Sequence, residues 1–193
     1  MLRLQLPTDP RWADLASKSL EEILTDHAYC EQKAASTCIS LIQNYPDRQE
    51  LVKKLAPIVT EEWGHFRMVL AELNRRNLKL GKQRKDEYVN QLRNFIRAGD
   101  RIERQLMDKL LVSALIEARS CERFRLLSEK LPQPDLRNFY RHFMESEAGH
   151  YTIFMKLAKT YMAAEVVNAR WSEMLHMEKE ILKSMELKGQ HIH

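Results

Sequence analysis

The sequence predicts an all-α protein: four long helices packed as a bundle, with a shorter extra helix at the C-terminal end. Three observations predict it. Glycine (5) and proline (6) are scarce among the 193 residues, whereas the chain is rich in Leu, Ala, Glu, Lys, Arg, Gln and Met, which lose little rotamer freedom in a helix. Prolines fall at the expected junctions, Pro46 and then Pro132 with Pro134. Between them, apolar residues recur at alternating spacings of four and three, the narrow stripe of a bundle helix. A chain of this length is expected to form a single domain, residues 1–193, with a core of its own.

The elements follow in order. The first helix is expected from about Ser17 to Asn44, ending before Pro46. A second starts near Asp47, as N-cap, and runs to about Asn77. After a basic stretch containing Gly81, helix resumes near Asp86, with a possible break around Gly99-Asp100, and continues to Leu131. Pro132 and Pro134 force a turn, because proline lacks the helical N–H and restricts the residue before it. Asp135 is placed to cap the fourth helix, which extends to about Tyr161. The fifth, from about Ala163 to Met185, carries a stripe of Trp171, Met174, Leu175, Ile181, Leu182 and Met185 interrupted by Glu178. The tail KGQHIH is expected to fray.

Composition excludes several classes. No apolar run approaches the ~18 residues of a membrane span. The opening stretch MLRLQLPTDPRW lacks the apolar core of a secretory leader. Cys30, Cys38 and Cys121 cannot all pair and form no CxxC motif, so they are expected as small buried hydrophobes in a reducing compartment. A cytoplasmic protein with no membrane partner is expected.

The apolar stripes carry ionisable residues where leucine would be expected. The first seam reads Leu20, Leu24, His27, Glu31, Ala34, Cys38, Leu41; the second Leu51, Leu55, Ile58, Glu62, His65, Val69. The third reads Leu106, Leu110, Ser113, Glu117, Ser120, Phe124, Leu127; the fourth Leu136, Tyr140, Phe143, Glu147, His150, Phe154, Leu157. A buried carboxylate without compensation costs several kcal/mol, and four together repel one another. Bound metal is the compensation the pattern implies, since no Lys or Arg lies on these seams.

Spacing supports that reading. Glu62-x-x-His65 and Glu147-x-x-His150 each project from one helix face, about a turn apart. Glu31 lies 15 residues before Pro46 and Glu62 lies 16 after it; Glu117 lies 15 before Pro132 and Glu147 lies 15 after it. Each antiparallel hairpin thus levels one Glu with one Glu-x-x-His. This is the ligand set of ferritin-like di-iron and di-manganese bundles, so a ferritin-like four-helix bundle with a di-metal core is expected. The metal ligands are Glu31, Glu62, His65, Glu117, Glu147 and His150, and no catalytic residue beyond them is evident. Glu122 rivals Glu117, but it lies five residues on and breaks the hairpin symmetry. Glu61 and Glu145 fall off their seams. His27, one turn before Glu31, is expected as a neutral core histidine rather than a seventh ligand. Mixed carboxylate and imidazole donors suit iron or manganese, and such a site can bind and reduce dioxygen. Ser113 and Ser120 flank Glu117, either leaving space beside the metals or permitting close helix packing.

Charge adds a second clue. Between Arg75 and Arg104 ten Lys/Arg stand against four acids, a net +6, while the whole chain is only +4. Arg75, Arg76, Lys79, Lys82, Arg84, Lys85, Arg93, Arg97 and Arg101 are therefore candidate nucleic-acid contacts, with Arg93, Arg97 and Arg101 expected as a stripe on one helix face. The alternative is a solvated basic surface.

The stretches HAYCEQKAAST from His27, EEWGHFRMVL from Glu61, ALIEARSCERFRLLS from Ala114 and ESEAGHYTIFMKLA from Glu145 resemble the MiaE family of bacterial tRNA hydroxylases, over nearly the full length. The resemblance implies a non-haem di-iron monooxygenase of ferritin-like fold. Such an enzyme hydroxylates the isopentenyl group of the 2-methylthio-isopentenyl-adenosine next to the tRNA anticodon. It further implies two iron ions held by the six residues above, dioxygen as co-substrate, and electrons from a separate reductase. The basic segment would grip the anticodon stem-loop, and Trp63, Phe66 or Tyr88 could stack on the base that leaves it. A monomer is expected. A peroxide-handling enzyme of rubrerythrin or manganese-catalase type would use the same six ligands without a polyanion partner, and an iron-binding or storage protein would assemble into a cage and show no reductase dependence.

Overall fold

A computed structural model describes residues 2, 4–16 and 18–187, and contains seven α-helices and no strand among them. They are α1 (Arg11–Ala16), α2 (Leu20–Asn44), α3 (Gln49–Arg75), α4 (Glu87–Arg93), α5 (Ile102–Lys130), α6 (Pro134–Tyr161) and α7 (Ala164–Leu187). The four long bundle helices expected from the sequence are α2, α3, α5 and α6, and the extra helix is α7; the KGQHIH tail lies outside the described residues. No helix among the described residues is long and apolar enough to cross a membrane. The chain divides into two compact units, Leu15–Lys85 and a second joining Met1–Asp14 to Asp86–His193.

In the first unit, α2 and α3 pack side by side across a short turn. The Tyr45 N–H donates to Leu41 O and the Arg48 N–H to Tyr45 O, so backbone hydrogen bonds close the turn. The expected cap at Asp47 is not used: Arg48 occupies the N-cap position without a side-chain cap, because the turn has already consumed the residues before it. At the other end, Asn77 takes φ +56° while Leu78 N bonds Leu73 O and Asn77 N bonds Asn74 O. That is a Schellman closure, in which a left-handed residue satisfies the last carbonyls, and it ends α3 two residues before the expected boundary. The basic stretch then runs back along α2. Gly81 N donates to Thr25 Oγ1, Tyr29 Oη donates to Gly81 O, and Lys79 N donates to Glu21 Oε1. A Cβ on Gly81 would sit 3.4 Å from the Thr25 side chain, so glycine permits this close approach.

In the second unit, α5 and α6 form the longer hairpin. Pro134 sits at the first position of α6, where its missing N–H costs nothing, and Gln133 rather than Asp135 is the N-cap; Asp135 lies in the first turn. Asp86 does cap α4, accepting the Val89 N–H at 3.0 Å. The break expected at Gly99-Asp100 is real and wider, spanning residues 94–101, with Gly99 at φ +74°. The short helix α1 was not expected.

Two buried ion pairs bolt α7 to α5. Asp108, fully buried, accepts Arg97 through Nε (2.8 Å) and Nη2 (2.9 Å) and Arg170 through Nε (3.0 Å). Arg119, 1% exposed, donates to Glu178 through Nε (3.0 Å) and Nη2 (2.6 Å), and also to Glu122, Thr8 Oγ1 and Leu6 O. Tyr88 Oη reaches the same Glu178 oxygen at 3.1 Å. The polar exception in the fifth helix's stripe is therefore the partner of an arginine buried on the outer side of α5. All three cysteines are thiols, two of them buried; Cys121 Sγ donates to Met144 O between α5 and α6, and burial pushes its thiol up to about 11.

Candidate metal centre

The α2–α3 hairpin delivers Glu31, Glu62 and His65, all buried, with one ligand atom from each within 4.8 Å of the others. The leveling follows from the short turn: helices leaving a common bend at equal rise bring residues 15 and 16 positions away to one height. His65 Nδ1 lies 3.3 Å from Glu31 Oε2 and 3.3 Å from Glu62 Oε2. The other Glu31 oxygen, Oε1, is held at 2.7 Å by His27 Nε2. Burial pushes the His27 imidazole down to about 3, with the charge of His65 adding to the effect, which favours the neutral ring. His27 is a buried histidine, as expected, and it is seated against Glu31.

Electrostatics around His65 are of the opposite sign. Burial alone would depress its pKa, but hydrogen bonds and charge from Glu31 and Glu62 overturn this and hold it up, at about 10. Glu31 is raised well above the usual carboxylate range, chiefly by burial, with His65 pulling the other way. Nδ1 thus lies at the point at which two carboxylates converge. Metal–ligand bonds of about 2.1 Å place neighbouring octahedral donors roughly 3.0 Å apart, close to the spacing seen. Two oxygens and one nitrogen so arranged fit a divalent cation.

The α5–α6 hairpin repeats the arrangement. Glu117, Glu147 and His150 are buried and their ligand atoms lie within 4.8 Å of one another. His150 again turns Nδ1 toward the glutamate three residues earlier, at 4.0 Å from Glu147 Oε2. Glu122, the rival to Glu117, is engaged elsewhere by Arg119 and by Thr8. Glu61 is half-exposed, its carboxylate 4.0 Å from His65 Nε2, and Glu145 is exposed. Ser113 is buried and Ser120 half-buried on α5.

The basic candidates separate into two kinds. Arg75 and Arg76 both bind Glu72, Arg84 binds Asp26 and Glu22, and Arg97 is committed to Asp108. Lys79, Lys82, Arg93 and Arg101 are exposed and make no side-chain ion pair among the described residues. The expected stripe of Arg93, Arg97 and Arg101 on one helix face does not exist, because α4 ends at Arg93 and Arg101 is the N-cap of α5. Tyr88 is buried against Glu178 and is no stacking platform. The buried cations Arg119 and Arg123 were missed by sequence reasoning, since they lie off the seams; Glu178 in an apolar stripe was the one signal that a buried cation must face it.

The chain matches the family model described as tRNA-(MS[2]IO[6]A)-hydroxylase (MiaE) over residues 2–193. It is 38% identical over 182 residues to the tRNA 2-(methylsulfanyl)-N(6)-isopentenyladenosine(37) hydroxylase of Pseudomonas putida, covering 94% of this chain and 87% of that protein. Identity to the protein of the same description from Salmonella typhimurium is 27% over 230 residues, covering 94% and 84%. Among solved structures, Protein 43 with aldehyde deformylating oxygenase activity from Synechococcus superposes with a TM-score of 0.87 at 34% identity, covering 91% of this chain and 86% of that one. This likeness establishes the ferritin-like four-helix bundle as the fold class. With a match along its whole length and a relative at 38% identity, the chain belongs to the MiaE family of tRNA-(MS[2]IO[6]A)-hydroxylases.

Proposed function

We propose that this chain is a single-domain, non-haem di-iron monooxygenase that hydroxylates the isopentenyl group of 2-methylthio-N6-isopentenyladenosine beside the tRNA anticodon. The observation that carries the metal assignment is the repeated half-site: each hairpin brings two carboxylates and one imidazole together, with Nδ1 turned to the glutamate three residues earlier. Glu31, Glu62, His65, Glu117, Glu147 and His150 hold the two irons.

When bound, the irons supply dioxygen activation, which side-chain acid–base chemistry cannot replace for an allylic C–H bond. One oxygen atom enters the methyl group; the other leaves as water with two electrons from an external reductase and two protons. The protein's own contribution is positional. His27 fixes one oxygen of Glu31 and so presents the other. Leu24, Leu55 and Ile58 in one hairpin, and Phe143 and Phe154 in the other, are buried beside the ligands and keep water away. Lys79, Lys82, Arg93 and Arg101 supply cations to the anticodon stem-loop phosphates, and the reaction takes place in the cytoplasm, where tRNA is.

The test uses iron-loaded protein, reductant, dioxygen and bulk tRNA from cells lacking the enzyme. Digestion and mass analysis should show a gain of one oxygen on the isopentenylated adenosine. Rapid peroxide consumption with no such gain would replace the hydroxylase with a peroxide enzyme.

A further inference from the structure

All fifteen Phe, Tyr and Trp side chains fall among the described residues, and fourteen are buried or half-buried. Trp63 is the exception, 47% exposed. It stands on α3 between Glu62 and His65, in the turn that carries two of the proposed iron ligands. Phe66 braces one side of the indole, with ring centroids 5.0 Å apart at 34°. Arg67, one turn further on, is exposed and makes no ion pair among the described residues. The same unit carries the exposed Lys79 and Lys82.

A tryptophan left open to water forgoes roughly 2–3 kcal/mol of burial, and a single exposed apolar residue needs no explanation by itself. This one is a flat ring, backed on one side and flanked by an uncommitted cation. Sequence-tolerant binding of single-stranded nucleic acid uses that combination: a π-face for the base and a nearby charge for the phosphate. Packing a protein partner would favour a broader apolar surround, whereas the surface beside Trp63 offers Arg67 and Glu61.

We infer that Trp63, braced by Phe66 and flanked by Arg67, is the stacking platform for an unstacked base of the anticodon loop. The inference rests on the tRNA-hydroxylase reading and names a residue that grips the substrate loop from the exposed face of α3. Trp63 is a positioning residue: it grips the RNA and leaves the chemistry to the metal centre.

The test measures binding of iron-loaded protein to a synthetic anticodon stem-loop carrying 2-methylthio-N6-isopentenyladenosine, across a range of salt, for the wild type, Trp63→Ala, Trp63→Phe and Lys82→Ala. Trp63→Ala should weaken binding by roughly 5- to 150-fold, the cost of removing one stacking partner, and leave the salt dependence unchanged. Trp63→Phe should recover most of the affinity, and iron content should be the same in all four proteins. Lys82→Ala should instead lower the salt slope by about one. Wild-type hydroxylation of the same stem-loop keeps the two readings apart. If the wild type binds and hydroxylates it while Trp63→Ala binds equally well, the platform is wrong and the function stands. Normal binding by Trp63→Ala with turnover lost only when a reductase supplies the electrons would make Trp63 a protein-docking residue and overturn the inference. If the wild type neither binds nor hydroxylates the stem-loop, the function itself fails.

Discussion

Replacing Arg119 with alanine should destabilise the protein more than any surface change, although the residue touches no proposed ligand. Its guanidinium is 1% exposed and supplies two hydrogen bonds to Glu178, itself fully buried. Without it, Glu178 keeps the Tyr88 hydroxyl at 3.1 Å and no cation, and Thr8 and Leu6 O lose a donor. Removing one partner of a buried ion pair costs about 3–5 kcal/mol, because the remaining charge stays desolvated. For a chain of this size that corresponds to a fall in Tm of roughly 6–20 °C. Replacing both partners with apolar residues of similar volume removes the stranded charge, so Arg119→Met with Glu178→Met should recover most of the loss. Urea and thermal unfolding of the single and double variants form the cycle. A single variant within about 1 kcal/mol of wild type, or a double variant no better than Arg119→Ala, would show that the pair does not carry the junction between α5 and α7.

Glu62→Ala or His150→Ala should abolish loading of one or both metals while the helical spectrum survives, as read by metal analysis and circular dichroism; full occupancy in either variant would refute the ligand assignment. Arg97→Ala should lower Tm, since it strips a guanidinium from buried Asp108, whereas Lys79→Ala should leave Tm unchanged and weaken tRNA binding in a salt-dependent way. Glu72 bears on pH. Burial pushes its carboxyl up, but hydrogen bonds and charge from Arg75 and Arg76 outweigh that and hold it below its usual value. Its contribution is therefore present above the unfolded pKa and is lost as pH falls through the folded one. The stability difference between wild type and Glu72→Gln should be greatest near neutrality, about 1 kcal/mol at most because the Arg75 partner is more than half exposed, and vanish in acid. A difference that persists unchanged in acid would assign the effect to packing.

Legibility varied with the kind of constraint. The two hairpins were readable because Pro46 and Pro132 are local breakers and the seam spacing is a property of helix geometry. The level placement of Glu31 with Glu62, and of Glu117 with Glu147, followed from counting residues on either side of each turn. Caps were read less well: Asp47 and Asp135 are good capping residues by type, yet the backbone of each turn put Arg48 and Gln133 at the N-cap instead. The basic run was visible as composition, but the fate of each cation was not. Arg84 and Arg97 look like Lys82 in a charge count and differ only in having carboxylates brought to them from elsewhere in the chain.

The four long helices, their hairpin pairing and the residues that each hairpin brings to a common height were legible in the chain because they rest on local periodicity and fixed rise per residue, and the family was legible in its motif stretches. Packing settled which charges are spent inside the protein. Asp108 and Arg170, like Arg119 and Glu178, lie far apart in the chain, and whether such a charge faces water or a partner depends on what packs against it, a relation that no local pattern encodes.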